Sequence, residues 1–173
     1  MMRALACLLM INSLALLAGC SSDPTKGYAA ISVFPASVRT IAVPIITNRT
    51  YFRDVEFELT DALIKQIETQ TPYKVTSQTD ADTVLTGQIR NVQLDHLSKS
   101  RLTGLTEEVI VGVTIDFQWK DVRSNRVLVE RRSFTGHGLF VPSNPTGEPI
   151  ALGEFAAVQQ LARDVVAELQ AQW

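Results

Sequence analysis

The clearest pattern in the chain is a strict alternation in "EEVIVGVTIDFQWKDV". Val109, Val111, Val113, Ile115, Phe117 and Trp119 are apolar at every second position, with Ile110, Gly112, Thr114, Asp116 and Gln118 between them. Successive side chains of a strand point to opposite faces, so this predicts a long strand with one core face and one mostly wet face. "RSNR" then makes a turn, and "VLVERRSFTGHG" returns as the hairpin partner. Upstream, "ADTVLTGQIRNVQLDHL" predicts a second long strand. Leu85, Gly87 and Ile89 share one of its faces, after which Val92 and Leu94 take over at the other parity. A period-2 pattern that switches parity predicts a β-bulge near Arg90-Asn91.

Two segments carry the helical period instead. In "DVEFELTDALIKQIETQTP", Val55, Leu59, Ala62, Leu63 and Ile67 line one face, acidic residues cluster at the start, and Pro72 stops the helix. In "ALGEFAAVQQLARDVVAELQAQW", Val158, Leu161, Ala162, Val165 and Leu169 line one face and Gln159, Gln160, Arg163, Asp164 and Glu168 the other. The first strand is expected in "SVRTIAVPIITNRT", where Val38, Ile41, Val43 and Ile45 suggest a buried face. Pro44 has no backbone donor, which puts that strand at an edge or limits its pairing there. "YKVTS" is a short strand candidate.

A helix between the first strands favours a parallel pair, and the later strands follow as antiparallel hairpins. The expected fold is therefore α+β: a two-layer sandwich of order β-α-β-β-β-α. Two amphipathic helices pack on one face of a mixed four-stranded sheet.

The N-terminus has a different organisation. Arg3 precedes an apolar run from Ala4 to Leu17, interrupted only by Asn12 and Ser13, and Ala18-Gly19 lead to Cys20. This is the layout of a secretory signal, too short for a comfortable membrane span. Leu17-Ala18-Gly19-Cys20 resembles the lipobox of bacterial lipoproteins, in which the cysteine thiol takes a diacylglycerol and becomes the acylated N-terminus after cleavage. The expected organisation is residues 1–19 as signal peptide, 20–36 as lipidated N-terminus and tether, and 37–173 as one domain. By resemblance to lipoprotein sorting, Ser21 after Cys20 favours the outer membrane. Cys7 leaves with the signal, so no disulfide can form within the remaining chain.

Charge narrows the function classes. Sixteen Lys and Arg stand against 18 Asp and Glu, and removing Arg3 with the signal makes the mature chain slightly more acidic. That argues against a nucleic-acid partner, which calls for a basic face. Catalytic constellations are thin: His96 and His137 are far apart, Ser133 lacks a nucleophile frame, and no cysteine–histidine–carboxylate cluster has metal spacing. The glycines of "TGHG" do not promptly open a helix, so they do not read as a phosphate cradle. Asp80 and Asp82 lie in a predicted loop and read as solvated. Neither an enzyme nor a cofactor is expected. The basic residues gather at two tips of the long hairpins, Lys99 with Arg101 and Arg123 with Arg126; Arg131 and Arg132 lie on the last strand.

With the lipobox, the segments "IAVPIITNRT", "VEFELTDALIKQIE", "ADTVLTGQI", "VERRSFTG" and "LARDVVAELQAQW", in this order and spacing, resemble the LptE family of lipopolysaccharide-assembly lipoproteins. The resemblance implies the same two-helix, mixed-sheet fold. It also implies binding to the LptD β-barrel, partly inside its lumen, a part in assembling that barrel, and contact with lipopolysaccharide on its way to the outer leaflet. Lys99 and Arg101 are the residues carried over for the lipopolysaccharide contact. Thr114, Asp116 and Gln118, on the uncovered face of the long strand, are the residues expected to meet the barrel, whose lumen is polar. Two other readings are a lipid-tethered pilot or scaffold of another envelope or secretion complex, and an envelope hydrolase using His96, His137 or Ser133.

Overall fold

The computed structural model describes residues 34–35, 37–99, 101, 104, 106–142 and 147–170. Cys20, the signal segment and nearly all of the tether lie outside these residues.

The elements in chain order are β1 (Thr40–Ala42), β2 (Thr47–Asn48), α1 (Val55–Gln70), β3 (Lys74–Val75), β4 (Thr83–Lys99), β5 (Thr106–Asp121), β6 (Val127–Phe140) and α2 (Ile150–Glu168). They form one mixed sheet of order β3-β1-β4-β5-β6, with β2 also paired to β4. β1 and β2 run parallel to β4, and β4, β5 and β6 are antiparallel neighbours.

The sheet thus has six strands where four were expected, and the difference starts at Pro44. β1 pairs Ala42 with Val84, and β2 pairs Thr47 with Gln88. The chain therefore spends one more residue than β4 between these two points. A proline cannot donate to the ladder, so the interruption falls there. The extra residue also reverses parity: Ile41 is fully buried, but Ile46 rather than Ile45 returns to the core, and Ile45 is 62% exposed. The sixth strand is the short segment at Tyr73–Thr76, whose two-residue β3 pairs in parallel with β1.

Elsewhere the hydrophobic periods translate directly into burial. All six alternating residues of β5, the five apolar positions of the α1 stripe and those of α2 join a single core cluster. The bulge expected near Arg90-Asn91 is present: Ile89 pairs with Ile115 and Asn91 with Thr114, leaving Arg90 as the extra residue.

α2 lies unusually close to β6. A Cβ on Gly136 would stand 2.5 Å from Leu161 Cβ and 2.8 Å from Ala157 O, and one on Gly138 would collide with Gly153 O and Ala157 N. The glycines of "TGHG" thus serve helix–strand contact, because only a residue without Cβ lets a helix backbone approach a strand this closely. Arg131 and Glu168, 2.6 Å apart, tie the C-terminal end of α2 to β6.

Asp82 departs from its expected solvated state. It sits at the start of β4 and accepts hydrogen bonds from Arg39 N at 3.2 Å, Thr40 N at 3.2 Å and Thr40 Oγ1 at 3.0 Å. It also lies 3.3 Å from Arg123 Nη2 in the β5–β6 turn. These bonds, led by that from Arg39 N, hold its carboxyl below the usual aspartate range. A carboxylate with a lowered folded pKa contributes stability above its unfolded pKa, and that contribution fades as pH falls through the folded value. Asp82→Asn is therefore expected to lower Tm at pH 7, with the gap to wild type closing as pH drops below about 4. Thermal melts across pH test this, and a pH-independent gap would show that the charge is not what Asp82 contributes.

Candidate functional site

One face of the sheet carries both helices, α2 against β5 and β6 and α1 beside it toward β2 and β3, and among the described residues nothing packs over the other. The bare face is built by register. Cross-strand partners share a face, so Thr86, Gln88 and Asn91 of β4 stand beside Gln118, Asp116 and Thr114 of β5. On the far side, Gln118 stands beside Glu130 and Thr114 beside Thr135. The result is a polar surface of amides, hydroxyls and charges on strands held rigid by the core beneath.

Asp116 is its centre. A second bulge, not foreseen from the sequence, lies on β6: Ile115 pairs with Phe134 but Phe117 with Arg131, so three steps on β6 match two on β5. Ser133 adopts the left-handed region at φ 52°, a conformation costing on the order of 1 kcal/mol for a non-glycine residue. Its N–H then donates to Asp116 Oδ1 at 2.9 Å. From the other neighbour, the bulge residue Arg90 places Nε 3.4 Å from Asp116 Oδ2. One carboxylate on the central strand is thus gripped by the irregular point of each adjacent strand. Bulges increase local twist, and beside Asp116 the face hollows into an open concavity of about 480 Å³ lined by Thr47, Arg49, Gln88, Gln118, Glu130 and Arg132, among others.

Of the residues expected to meet a barrel, Thr114, Asp116 and Gln118 all lie on this face and are half-buried. Their chemical states differ. Thr114 shares a hydrogen bond with Thr135 Oγ1 at 2.8 Å, and both Asp116 oxygens are engaged as above. The Gln118 side chain has no partner among the described residues. Arg49, at the rim, was not singled out from the sequence. Its signal was the turn after β2, and only the pairing of β2 with β4, which sets Thr47 opposite Gln88 and Arg49 N–H on Ile89 O, brings it to this rim.

Lys99 and Arg101 are elsewhere. Beyond Val92, β4 runs past the core; residues 93–97 are all exposed, and Lys99 ends the strand at an exposed tip. Leu97 on the same overhang is 55% exposed. Arg123 and Arg126 occupy the β5–β6 turn at the opposite end, as expected from the sequence, with Arg123 committed to Asp82.

The remaining chemical candidates are not brought together. His96 pairs across to Val109 on the helix-bearing side, whereas His137 pairs across to Gly112 on the bare side. Ser133 contributes its backbone N–H to Asp116. Among the described residues no group of three or more histidines, cysteines and carboxylates is placed to hold a metal ion.

Comparison with known proteins places this geometry. Residues 38–173 match a family described as LptE, lipopolysaccharide-assembly. Among solved structures, the chain is similar to PelC of Paraburkholderia phytofirmans, solved as a dodecamer. The two are 20% identical over 80% of this chain and 93% of that one, with a TM-score of 0.52. It is also similar to protein XCC0632 of Xanthomonas campestris, 12% identical over 83% and 86% with a TM-score of 0.52. A third is the hypothetical protein CT253 of Chlamydia trachomatis, 10% identical over 76% and 98% with a TM-score of 0.50. At these identities the likeness is one of fold. No curated protein matches the chain.

Proposed function

Because this chain belongs to the LptE lipopolysaccharide-assembly family, we propose that it is an outer-membrane lipoprotein that binds an LptD-like β-barrel, helps assemble it, and takes part in lipopolysaccharide transport to the outer leaflet. The observation that carries this reading is the bare polar face. The domain completes its core with two helices on one side, yet keeps a rigid sheet of amides, hydroxyls and charges open on the other. Barrel lumens are polar, and a docked domain needs a hydrogen-bonding wall of its own rather than a catalytic centre. In this reading residues 1–19 are removed, acylated Cys20 anchors the protein to the membrane, residues 20–36 form the tether, and 37–173 form the docking domain. The overhanging tip with Lys99 and Arg101 offers two cations to lipopolysaccharide phosphates, through charge-assisted hydrogen bonds. The protein acts by binding, not by catalysis.

Affinity purification of the tagged protein from detergent-extracted membranes is expected to recover a large outer-membrane barrel. Recovery of a secretin or another envelope complex instead would favour a pilot or scaffold, and normal lipopolysaccharide export in a deletion strain would remove the transport role. Cys20→Ala is expected to leave an unlipidated precursor away from the outer membrane. Palmitate labelling of that variant at the wild-type level would refute the anchor.

A further inference from the structure

The concavity beside Asp116 gives the docking surface a more definite chemistry; this step rests on the barrel-partner reading. Most of the charges around it are already matched within the sheet. Asp116 faces Arg90 at 3.4 Å and accepts from Ser133 N at 2.9 Å. Arg132 reaches Glu130 Oε1 through Nε at 3.1 Å and Nη2 at 3.0 Å, and Arg131 is committed to Glu168 on the helix side. Arg49 is the exception. Its backbone N–H donates to Ile89 O at 3.2 Å, which fixes its place at the rim, but its guanidinium has no partner among the described residues. The neutral groups add donors. Gln88 Oε1 is occupied by Arg90 at 3.2 Å, leaving the Gln88 NH2 as its free group, and the Gln118 amide is uncommitted, with its NH2 free to donate and its oxygen free to accept.

The strip therefore presents one unmatched cation and free amide N–H groups from Gln88 and Gln118, on a backbone that cannot collapse to satisfy them internally. Desolvating a cation is favourable only against an acceptor, and a guanidinium fork pairs bidentately with a carboxylate, the anion that a protein wall supplies. We propose that this strip docks an acidic, acceptor-rich patch on the lumen wall of the barrel. Arg49 pairs with a carboxylate there, while Gln88 and Gln118 donate to the same wall. Asp116 and Thr114 shape the strip from within and do not touch the partner.

The test is recovery of the barrel by the full-length, lipidated protein from its own membranes. Arg49→Glu is expected to lower the amount recovered about tenfold or more, since a like charge is then placed against the acidic patch. Gln88→Ala with Gln118→Ala is expected to lower it several-fold, and Thr114→Val to leave it unchanged. Arg49 is exposed, so Tm should hold in its variants. Should Arg49→Glu nevertheless melt early, Arg49→Gln replaces it, and its residual complex should lose the salt sensitivity shown by wild type. If wild type recovers the barrel and neither Arg49 variant changes the yield or its salt dependence, this strip is not the docking surface, and the barrel reading stands without it. If wild type recovers no barrel, both fall together.

Discussion

Replacing Gly138 by alanine is expected to cost about 3 kcal/mol or more, lowering Tm by roughly 10 °C for a domain of this size. The new methyl would meet Gly153 O and Ala157 N. Both are main-chain atoms of α2, so no rotamer change can yield to it. The helix must lift from β6, and lifting it loosens Leu161, Ala157 and Val158, all fully buried against the sheet. Gly112→Ala is the matched control. It lies on the neighbouring strand, but a Cβ there would stand 3.4 Å from Gln93 Cγ and 3.5 Å from His137 Nδ1. Those are ordinary contacts with movable side chains, so a change within about 0.5 kcal/mol is expected. Urea unfolding of both variants measures the difference. Equal midpoints would mean that α2 does not depend on its close approach to β6.

Trp119→Ala is expected to destabilise by about 3–5 kcal/mol. Trp119 is the largest fully buried side chain, closing the end of the core where Tyr73 lies 5.9 Å away and Phe34 a further 5.6 Å beyond Tyr73. Trp119→Phe should cost far less. The indole N–H is buried without a hydrogen-bond partner among the described residues, a state that itself costs about 1–3 kcal/mol. Phenylalanine removes that penalty while keeping most of the ring, which offsets much of the lost volume. The same end holds the Tyr73 hydroxyl, also buried without a partner, whose pKa burial pushes up to about 12. Finding Trp119→Phe as damaging as Trp119→Ala would show that the N–H is satisfied after all.

Both effects bear on function through the bare face. β5 supplies Trp119 and the β5 side of the Gly136 and Gly138 pairing to the core, and Thr114, Asp116 and Gln118 to the bare face. Side chains on the two sides of one strand share a backbone, so loosening the helix layer would also loosen the strip. For this reason the binding variants above change exposed or half-buried side chains and leave the core intact.

How legible each feature was depends on the range of its physical cause. The bulge at Arg90 was visible because it reverses a period-2 pattern within one strand. The bulge at Ser133 was not, because around it the chain reads "ERRSFTG", with too few apolar residues to register a change of parity. The three residues chosen for the barrel contact were correctly placed on the open face by alternation alone. Which of them has bonding capacity left could not be read from alternation, since Asp116 is engaged by Arg90 and Ser133 from two other strands. Asp82 looked like a solvated loop residue for the same reason: its partners Arg39 and Thr40 are more than forty positions away.

By itself, the sequence determined the two helices and the three long strands, the faces they bury, and the family. Each of these follows from spacing within a segment or from the order of segments. The tertiary structure alone decided that the chain resumes pairing beyond Pro44 with its parity reversed, that Gly136 and Gly138 admit a helix, and that Arg49 has no partner among the described residues at the rim of a concavity. Those outcomes depend on which distant segments meet and in what register, and a local hydrophobic period carries no information about the partner across the ladder.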